Sequence, residues 1–136
     1  VTVVMAAYHV DLSGFKIPDN FIVRHYIPQL AILQHTDVAI THAGMNSISD
    51  LLYNDVPFVA IPLGADQPDL AERTAALGAT ISLDHNHLTP AILQDAVEKV
   101  LRDPSYARNM KKISDSFRDA GGYPKAVAYI KEYIQK

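Results

Sequence analysis

The chain has 136 residues, of which 49% are hydrophobic, enough for one core of ordinary size without a second domain. A formal net charge of −3, with both signs scattered along the chain, excludes the basic field that a nucleic-acid binder needs. The absence of cysteine excludes disulfides, thiolate metal sites and a thiol nucleophile, and fits a reducing, cytoplasmic setting.

No apolar run approaches the roughly 18 residues of a membrane span. Val1 to Ala7 is apolar, but it is too short for a signal peptide and lacks a basic start. It reads as a buried strand, and because the chain opens directly in it without an initiator methionine, a fragment is expected. Tyr8 to Asn20, with Gly14 and Pro18, reads as a polar connection to a second strand, Phe21 to Tyr26. Pro28 is placed to begin a short helix carrying Leu30, Ile32 and Leu33 and ending near His35. Val38 to Thr41 predicts a short buried strand, and Ile48, Leu51 and Leu52 have the spacing of a helix that starts after Gly44.

Asn54-Asp55 is a turn, and Pro57 to Pro62 is a continuous apolar strand of the kind buried on both faces. Asp66 is expected to cap a helix that opens at Gln67-Pro68 and stops at Gly78, before a last short strand, Ala79 to Leu83. Three helices follow. Thr89-Pro90 starts one with Ile92, Leu93, Ala96, Val97, Val100 and Leu101 on its apolar face. Pro104 starts another with a stripe of Tyr106, Met110, Ile113 and Phe117. Gly121-Gly122 ends that helix, and Pro124 begins the last, carrying Val127, Ile130 and Ile134.

Short apolar strands alternating with helices predict an α/β fold, a Rossmann-like parallel sheet with helices on both faces. Ligands of such sheets bind at the carboxyl ends of the strands. Three polar clusters lie there and are expected to face one crevice: Tyr26-Ile27-Pro28-Gln29, His42 to Asp50, and Gly64-Ala65-Asp66-Gln67. Strand, small-residue turn and helix start at Thr41 to Asn46 make a diphosphate-type site, since the first helical N–H groups lack intrahelical partners and carry the positive end of the helix dipole. His42 adds a donor; Asn46 and Ser47 add two more, or else cap the helix. Tyr26 offers an aromatic face for a base or else a core tyrosine, and Asp66 an acceptor for hydroxyls or else a plain cap. Neither the dinucleotide glycine fingerprint nor the phosphate-loop pattern occurs, which disfavours NAD sites and triphosphate hydrolysis.

Tyr26-x-Pro28-Gln29, Thr41-His42-Ala43-Gly44-Met45-Asn46-Ser47 with Asp50, then Val56-Pro57, Pro62 and Asp66-Gln67 resemble the C-terminal, donor-binding domain of GT-B fold UDP-glycosyltransferases. The likeness is greatest to the bacterial macrolide-type enzymes and runs from Val1 to the last helix, with the family's first strand apparently missing. The resemblance implies that Tyr26 stacks on uracil, that Ile27 supplies backbone contacts and that Gln29 lies near the ribose. It implies that His42, Gly44, Asn46 and Ser47 hold the diphosphate, that Asp50 accepts from the ribose hydroxyls, and that Asp66 and Gln67 hold the hydroxyls of the donor sugar.

The same resemblance implies an inverting transfer of a hexose from a UDP-sugar, as co-substrate, to a hydroxyl of a small lipophilic acceptor. No metal and no other cofactor is expected. The family's catalytic base belongs to an N-terminal domain that also binds the acceptor, so no catalytic residue is assigned here and His42 is not that base. The residues depart from the family at Tyr26, where many relatives have tryptophan, at Asp50, where plant relatives have glutamate, and at Asp55, where glycine is common. Two other readings stand beside the transferase: a nucleotide-sugar binding module without activity of its own, and a sugar-nucleotide 2-epimerase of the same fold. Self-association through an exposed sheet edge beside Val1 to Ala7 is expected as well. The other histidines, His9, His25, His35, His85 and His87, form no convincing metal set, and Asp84-His85-Asn86-His87 reads as a polar loop.

Overall fold

In the computed structural model, which describes residues 1–135, strands and helices alternate as the sequence predicts, and every strand pairing is parallel. The chain forms two compact units, Val1–His35 and the remainder from Thr36 onward. The strands hydrogen-bond as two sheets rather than one continuous ladder: β1 (Val3–Ala6) with β2 (Phe21–Arg24), and β3 (Ala39–Thr41), β4 (Phe58–Ala60) and β5 (Thr80–Ser82) in that order.

The first unit is β1, an irregular connection, β2 and the short helix α1 (Gln29–Leu33). The pairing registers Val3 with Phe21 and Ala6 with Arg24, and Ala7 N–H donates to the Arg24 carbonyl at 2.9 Å. Within the connection Asp11 accepts from Ser13 N–H at 2.9 Å, a local turn in place of the crossover helix usual between parallel strands. β1 is shorter than expected and is not buried, because Met5 and Ala6 are exposed; Leu33 is this unit's one buried residue. Pro28 caps α1 rather than opening it, and Leu30 is exposed.

The second unit has the larger core. β4 lies between β3 and β5 and is buried along its length, as its unbroken apolar run predicts for a central parallel strand. Val59 packs with Ala96 and Val100 of α4 (Pro90–Arg102), and Ile81, Leu83, Leu93 and Tyr106 close around them. β3 departs from expectation: Ile40 is half exposed, so this strand is covered on one face only. The starts of α4 and of α5 (Pro104–Asp119) follow their sequence signals, with Thr89 accepting from Ile92 N–H at 3.2 Å and Asp103 from Ser105 N–H at 2.8 Å. The Ser105 N–H holds the Asp103 carboxyl below its ordinary value.

Helix α2 (Met45–Tyr53) buries Ile48, Leu51 and Leu52, and its carboxyl end is fixed by α5. Ser114, fully buried, donates its hydroxyl to the Leu52 carbonyl at 2.6 Å. Arg118 donates to the Tyr53 carbonyl at 2.7 Å and to the Asp55 carboxylate at 2.8 Å, placing a cation where the helix dipole is negative. Asp55 has φ 59°, a left-handed conformation that aspartate tolerates and that glycine adopts without penalty. Two further elements, α3 (Gln67–Ala76) and α6 (Gly122–Ile134), complete the unit; α6 starts two residues before Pro124, at a left-handed glycine pair.

Removing the Ser114 hydroxyl strips a buried carbonyl of one of its partners. Ser114→Ala is expected to destabilise the chain by about 1–2 kcal/mol. A urea-unfolding midpoint unchanged from the parent would show that α5 does not hold α2 through this bond.

Candidate functional site

Helix α2 starts abruptly. β3 ends at Thr41, whose hydroxyl accepts from the Ala43 N–H at 3.2 Å, and Ala43 is fully buried with φ 65°. Left-handed backbone at a non-glycine residue costs of order 1–2 kcal/mol and persists where the surroundings impose it. The distortion lets the chain turn from strand into helix within a few residues. Gly44 then takes the N-cap position in extended conformation, and the first helical hydrogen bond runs from Ile48 N–H to the Gly44 carbonyl at 3.0 Å.

The N–H groups of Met45, Asn46 and Ser47 therefore lie ahead of the helix's own ladder. Among the described residues no side chain caps them, and no acidic residue sits in the first turn. Asn46 and Ser47 are thus first-turn residues, and the N-cap position belongs to Gly44. Asp50, half-buried, lies one helical turn beyond Asn46.

His42 completes this corner. A Cβ added at Gly44 would come within 2.6 Å of the His42 Nε2, so the imidazole occupies the space that glycine leaves free at the helix mouth. The need for glycine here is one of volume, because its φ of −67° suits any residue. An exposed ring nitrogen and uncapped backbone donors thus share one small region with the positive end of the helix dipole.

The loop after β4 repeats the geometry in part. Ala65 is left-handed at φ 56°, and Asp66 and Gln67 follow at the start of α3. The expectation that Asp66 caps this helix is not met: its backbone is already helical and its side chain makes no cap hydrogen bond. The stabilising contact comes from Gln67, whose Oε1 accepts from the N–H groups of Leu63 at 2.9 Å and Gly64 at 3.3 Å. The amide oxygen of Gln67 is therefore committed to its own loop, leaving its NH₂ outward-acting, while the exposed Asp66 carboxylate retains its acceptors. An open groove of about 450 Å³ adjoins this loop, lined by Pro62, Leu63, Pro68, Leu83, Asp84 and His85 among others.

In the first unit Tyr26 is 76% exposed just beyond β2, so it is not a core tyrosine, and Ile27 is half-buried. Gln29 is the first residue of α1 and is exposed. Sequence patterning missed a cluster beside them: Tyr8, His9 and His25 bring their rings to centroid distances of 4.1 to 5.3 Å at the carboxyl ends of β1 and β2. Equivalent strand ends facing the same way were the available signal. Asp84 to His87 forms a single 3₁₀ turn in which Asp84 accepts from Asn86 N–H and from the His87 ring, the polar loop expected. Among the described residues no group of three or more histidines and carboxylates is arranged to hold a metal ion.

A profile of the UDP-glucoronosyl and UDP-glucosyl transferase family matches residues 13–135, and the chain belongs to that family. It is 40% identical over 129 residues to an uncharacterized UDP-glucosyltransferase, YojK, of Bacillus subtilis, covering 94% of this chain and 32% of that protein. To the 2-hydroxyacylsphingosine 1-beta-galactosyltransferase of Rattus norvegicus it is 37% identical over 117 residues, 82% of this chain and 22% of the relative. Among solved structures, the glycotransferase of kitacinnamycin superposes with a TM-score of 0.90 at 34% identity, covering 96% of this chain and 34% of that one. The calicheamicin glycosyltransferase CalG4 superposes at 0.88 with 25% identity, over 99% of this chain and 35% of its own. The fold is thus that of the GT-B glycosyltransferases, and the chain spans about a third of the length of its first curated relatives. Among the described residues no helix is long and apolar enough to cross a membrane.

The packing of His42 over Gly44 has a direct test. Gly44→Ala is expected to lower the melting temperature by only about 3–6 °C, since alanine is a poorer N-cap than glycine but the backbone suits it and the contacted atom ends a mobile side chain, yet to drive the imidazole from the helix mouth. Histidine ring signals in NMR spectra that are the same in parent and variant would contradict the placement.

Proposed function

We propose that this chain is the donor-binding half of an inverting glycosyltransferase that moves a hexose from a UDP-sugar to a hydroxyl of a small lipophilic acceptor. The observation that carries the reading is the start of α2, where His42 Nε2 lies against Gly44 beside uncapped N–H groups and no carboxylate occupies the first turn. Such a site stabilises the negative charge that grows on a departing diphosphate, and it acts most strongly where that charge is greatest. Family membership supports a nucleoside diphosphate as the anion, and one solved neighbour, a spinosyn rhamnosyltransferase 28% identical, is complexed with thymidine diphosphate. The rat relative's name supports a lipophilic acceptor.

In this reading Tyr26 provides the stacking face for the base, Ile27 its backbone contacts and Gln29 a contact near the ribose. Asn46 and Ser47 join His42 and Gly44 around the phosphates, and Asp50 accepts from the ribose. Asp66 receives the sugar hydroxyls through its carboxylate. Gln67 contributes as a donor through its NH₂, because its oxygen is already occupied by Leu63 and Gly64 N–H groups. The acceptor and the base that deprotonates it lie in another domain. No metal takes part.

The chain is expected to bind UDP weakly, with a Kd of about 0.1–1 mM, since a half-site lacks contacts that domain closure supplies. Calorimetry should show His42→Ala weakening UDP at least about fivefold. Equal affinity in parent and variant, or preference for thymidine diphosphate over UDP, would remove the corresponding assignment.

Transfer needs a base within hydrogen-bond reach of a held acceptor hydroxyl, and the residues assigned here are all engaged with the donor. Incubated with UDP-glucose and a panel of phenols and macrolides, the chain alone is expected to form no glycoside detectable by mass spectrometry. Product formation abolished by His42→Ala would reveal a complete active site within these residues.

A further inference from the structure

The open groove of about 450 Å³ beside the carboxyl ends of β4 and β5 has a chemistry of its own. Its lining is mostly apolar, with Pro62, Leu63, Pro68 and Leu83, and Leu63 is 66% exposed. A volume of this size suits a small molecule, and an apolar lining with a few fixed polar groups is the usual composition of such sites.

The polar group that gives the groove its chemistry is His85. Its Nδ1 lies 3.1 Å from the Pro62 carbonyl oxygen. A carbonyl can only accept, so in the neutral imidazole Nδ1 carries the proton and Nε2 is left with the lone pair. Among the described residues Nε2 has no hydrogen-bond partner. Asp84, next to it, is already engaged through both carboxylate oxygens, accepting from the Asn86 N–H at 2.9 Å and from the His87 ring at 2.7 Å. The Asn86 N–H and then the His87 ring hold that carboxyl below its ordinary value, so it remains an anion.

Donors, in contrast, are scarce. The Leu63 and Gly64 N–H groups go to Gln67 Oε1, and the Leu83 N–H goes to the Ala60 carbonyl at 2.8 Å. Among the described residues no lysine or arginine lines the groove, and the Ser82 hydroxyl can act in either sense. The matching ligand therefore brings its own donor.

We propose that this groove binds a neutral small molecule with an apolar body and a hydroxyl, the body against Leu63, Pro68 and Leu83 and the hydroxyl donating to His85 Nε2. A phenol has this chemistry. An anion is opposed by the Asp84 charge, and a cation gains little from a carboxylate whose oxygens are both occupied. A sugar offers too little apolar surface for four apolar residues. The assignment stands on the groove alone, because none of the residues assigned to the base or the diphosphate lines it.

The test is an NMR titration of the chain with 4-propylphenol, in a buffer of about pH 8, above the ordinary range of imidazole titration. The comparison ligand is 4-propylanisole, whose methyl ether cannot donate. Saturable shifts are expected at the amides of Leu63, Gly64, Ser82 and His85, with a Kd of about 1–10 mM for the phenol and binding of the anisole at least about threefold weaker. His85→Asn keeps a donor for the Pro62 carbonyl but lacks Nε2, and should bring the phenol down to the affinity of the anisole. Leu63→Ser should weaken both ligands alike. Neither substitution is expected to change the affinity for UDP, so failure here and failure of the donor reading are separate results.

Equal affinity of phenol and anisole in the parent would remove the role of His85. Tighter binding of 4-propylbenzylamine would overturn the proposal in favour of a cation site, and shifts of these amides by UDP-glucose but not by UDP or the phenol would overturn it in favour of a sugar subsite. No saturable shift with the phenol would show that the groove is not a binding site. The arms that use the parent chain decide the question even where His85→Asn fails to fold.

Discussion

Everything at the candidate site depends on how α2 is held. A helix presents useful donors at its amino end only if that end stays uncapped and fixed in place, and both conditions cost stability locally. The carboxyl end compensates. Ser114 and Arg118 reach across from α5 to the Leu52 and Tyr53 carbonyls, so the negative end of the dipole is satisfied by a buried hydroxyl and a guanidinium. With Ile48, Leu51 and Leu52 buried along the flank, the helix has little freedom to slide or tilt. Its amino end can then remain without a side-chain cap.

The strained residues follow the same logic. Ala43 after β3 and Ala65 after β4 both adopt left-handed backbone at the carboxyl ends of neighbouring strands, where a ligand of a parallel sheet approaches. Each bends the chain sharply enough to bring a helix start up to the strand end. Neither alanine has a side chain that acts chemically, so their contribution lies in the path they impose on His42 and on Asp66-Gln67.

How much of this was legible in the sequence depends on range. The alternation of strands and helices, the buried β4 and the turn into α2 were visible because each is written in a few consecutive residues. The strand-turn-helix pattern at Thr41 to Ser47 pointed to the candidate site, but not to the reason for its glycine, which is the volume of a histidine two residues away. The Ser114 and Arg118 contacts join residues more than 60 positions apart, and a serine on a helix looks like a surface residue until the fold is known. Gln67 had two equivalent uses for its amide, and only the loop geometry shows which atom is taken. The division into two sheets was not legible either, since patterning points to parallel strands, not to which edges meet.

Asp55 and Arg118 carry a consequence for how such a sequence changes over time. A left-handed turn residue is free of penalty as glycine, and then Arg118 keeps only the Asp115 carboxylate and the Tyr53 carbonyl. As aspartate it strains the backbone slightly, and that strain is offset by the ion pair of 2.8 Å. The two positions are therefore epistatic, and the order of substitution matters. Aspartate arriving at 55 before arginine at 118 passes through a weakened intermediate, whereas arginine arriving first already has the Tyr53 carbonyl to bind and opens a nearly neutral route.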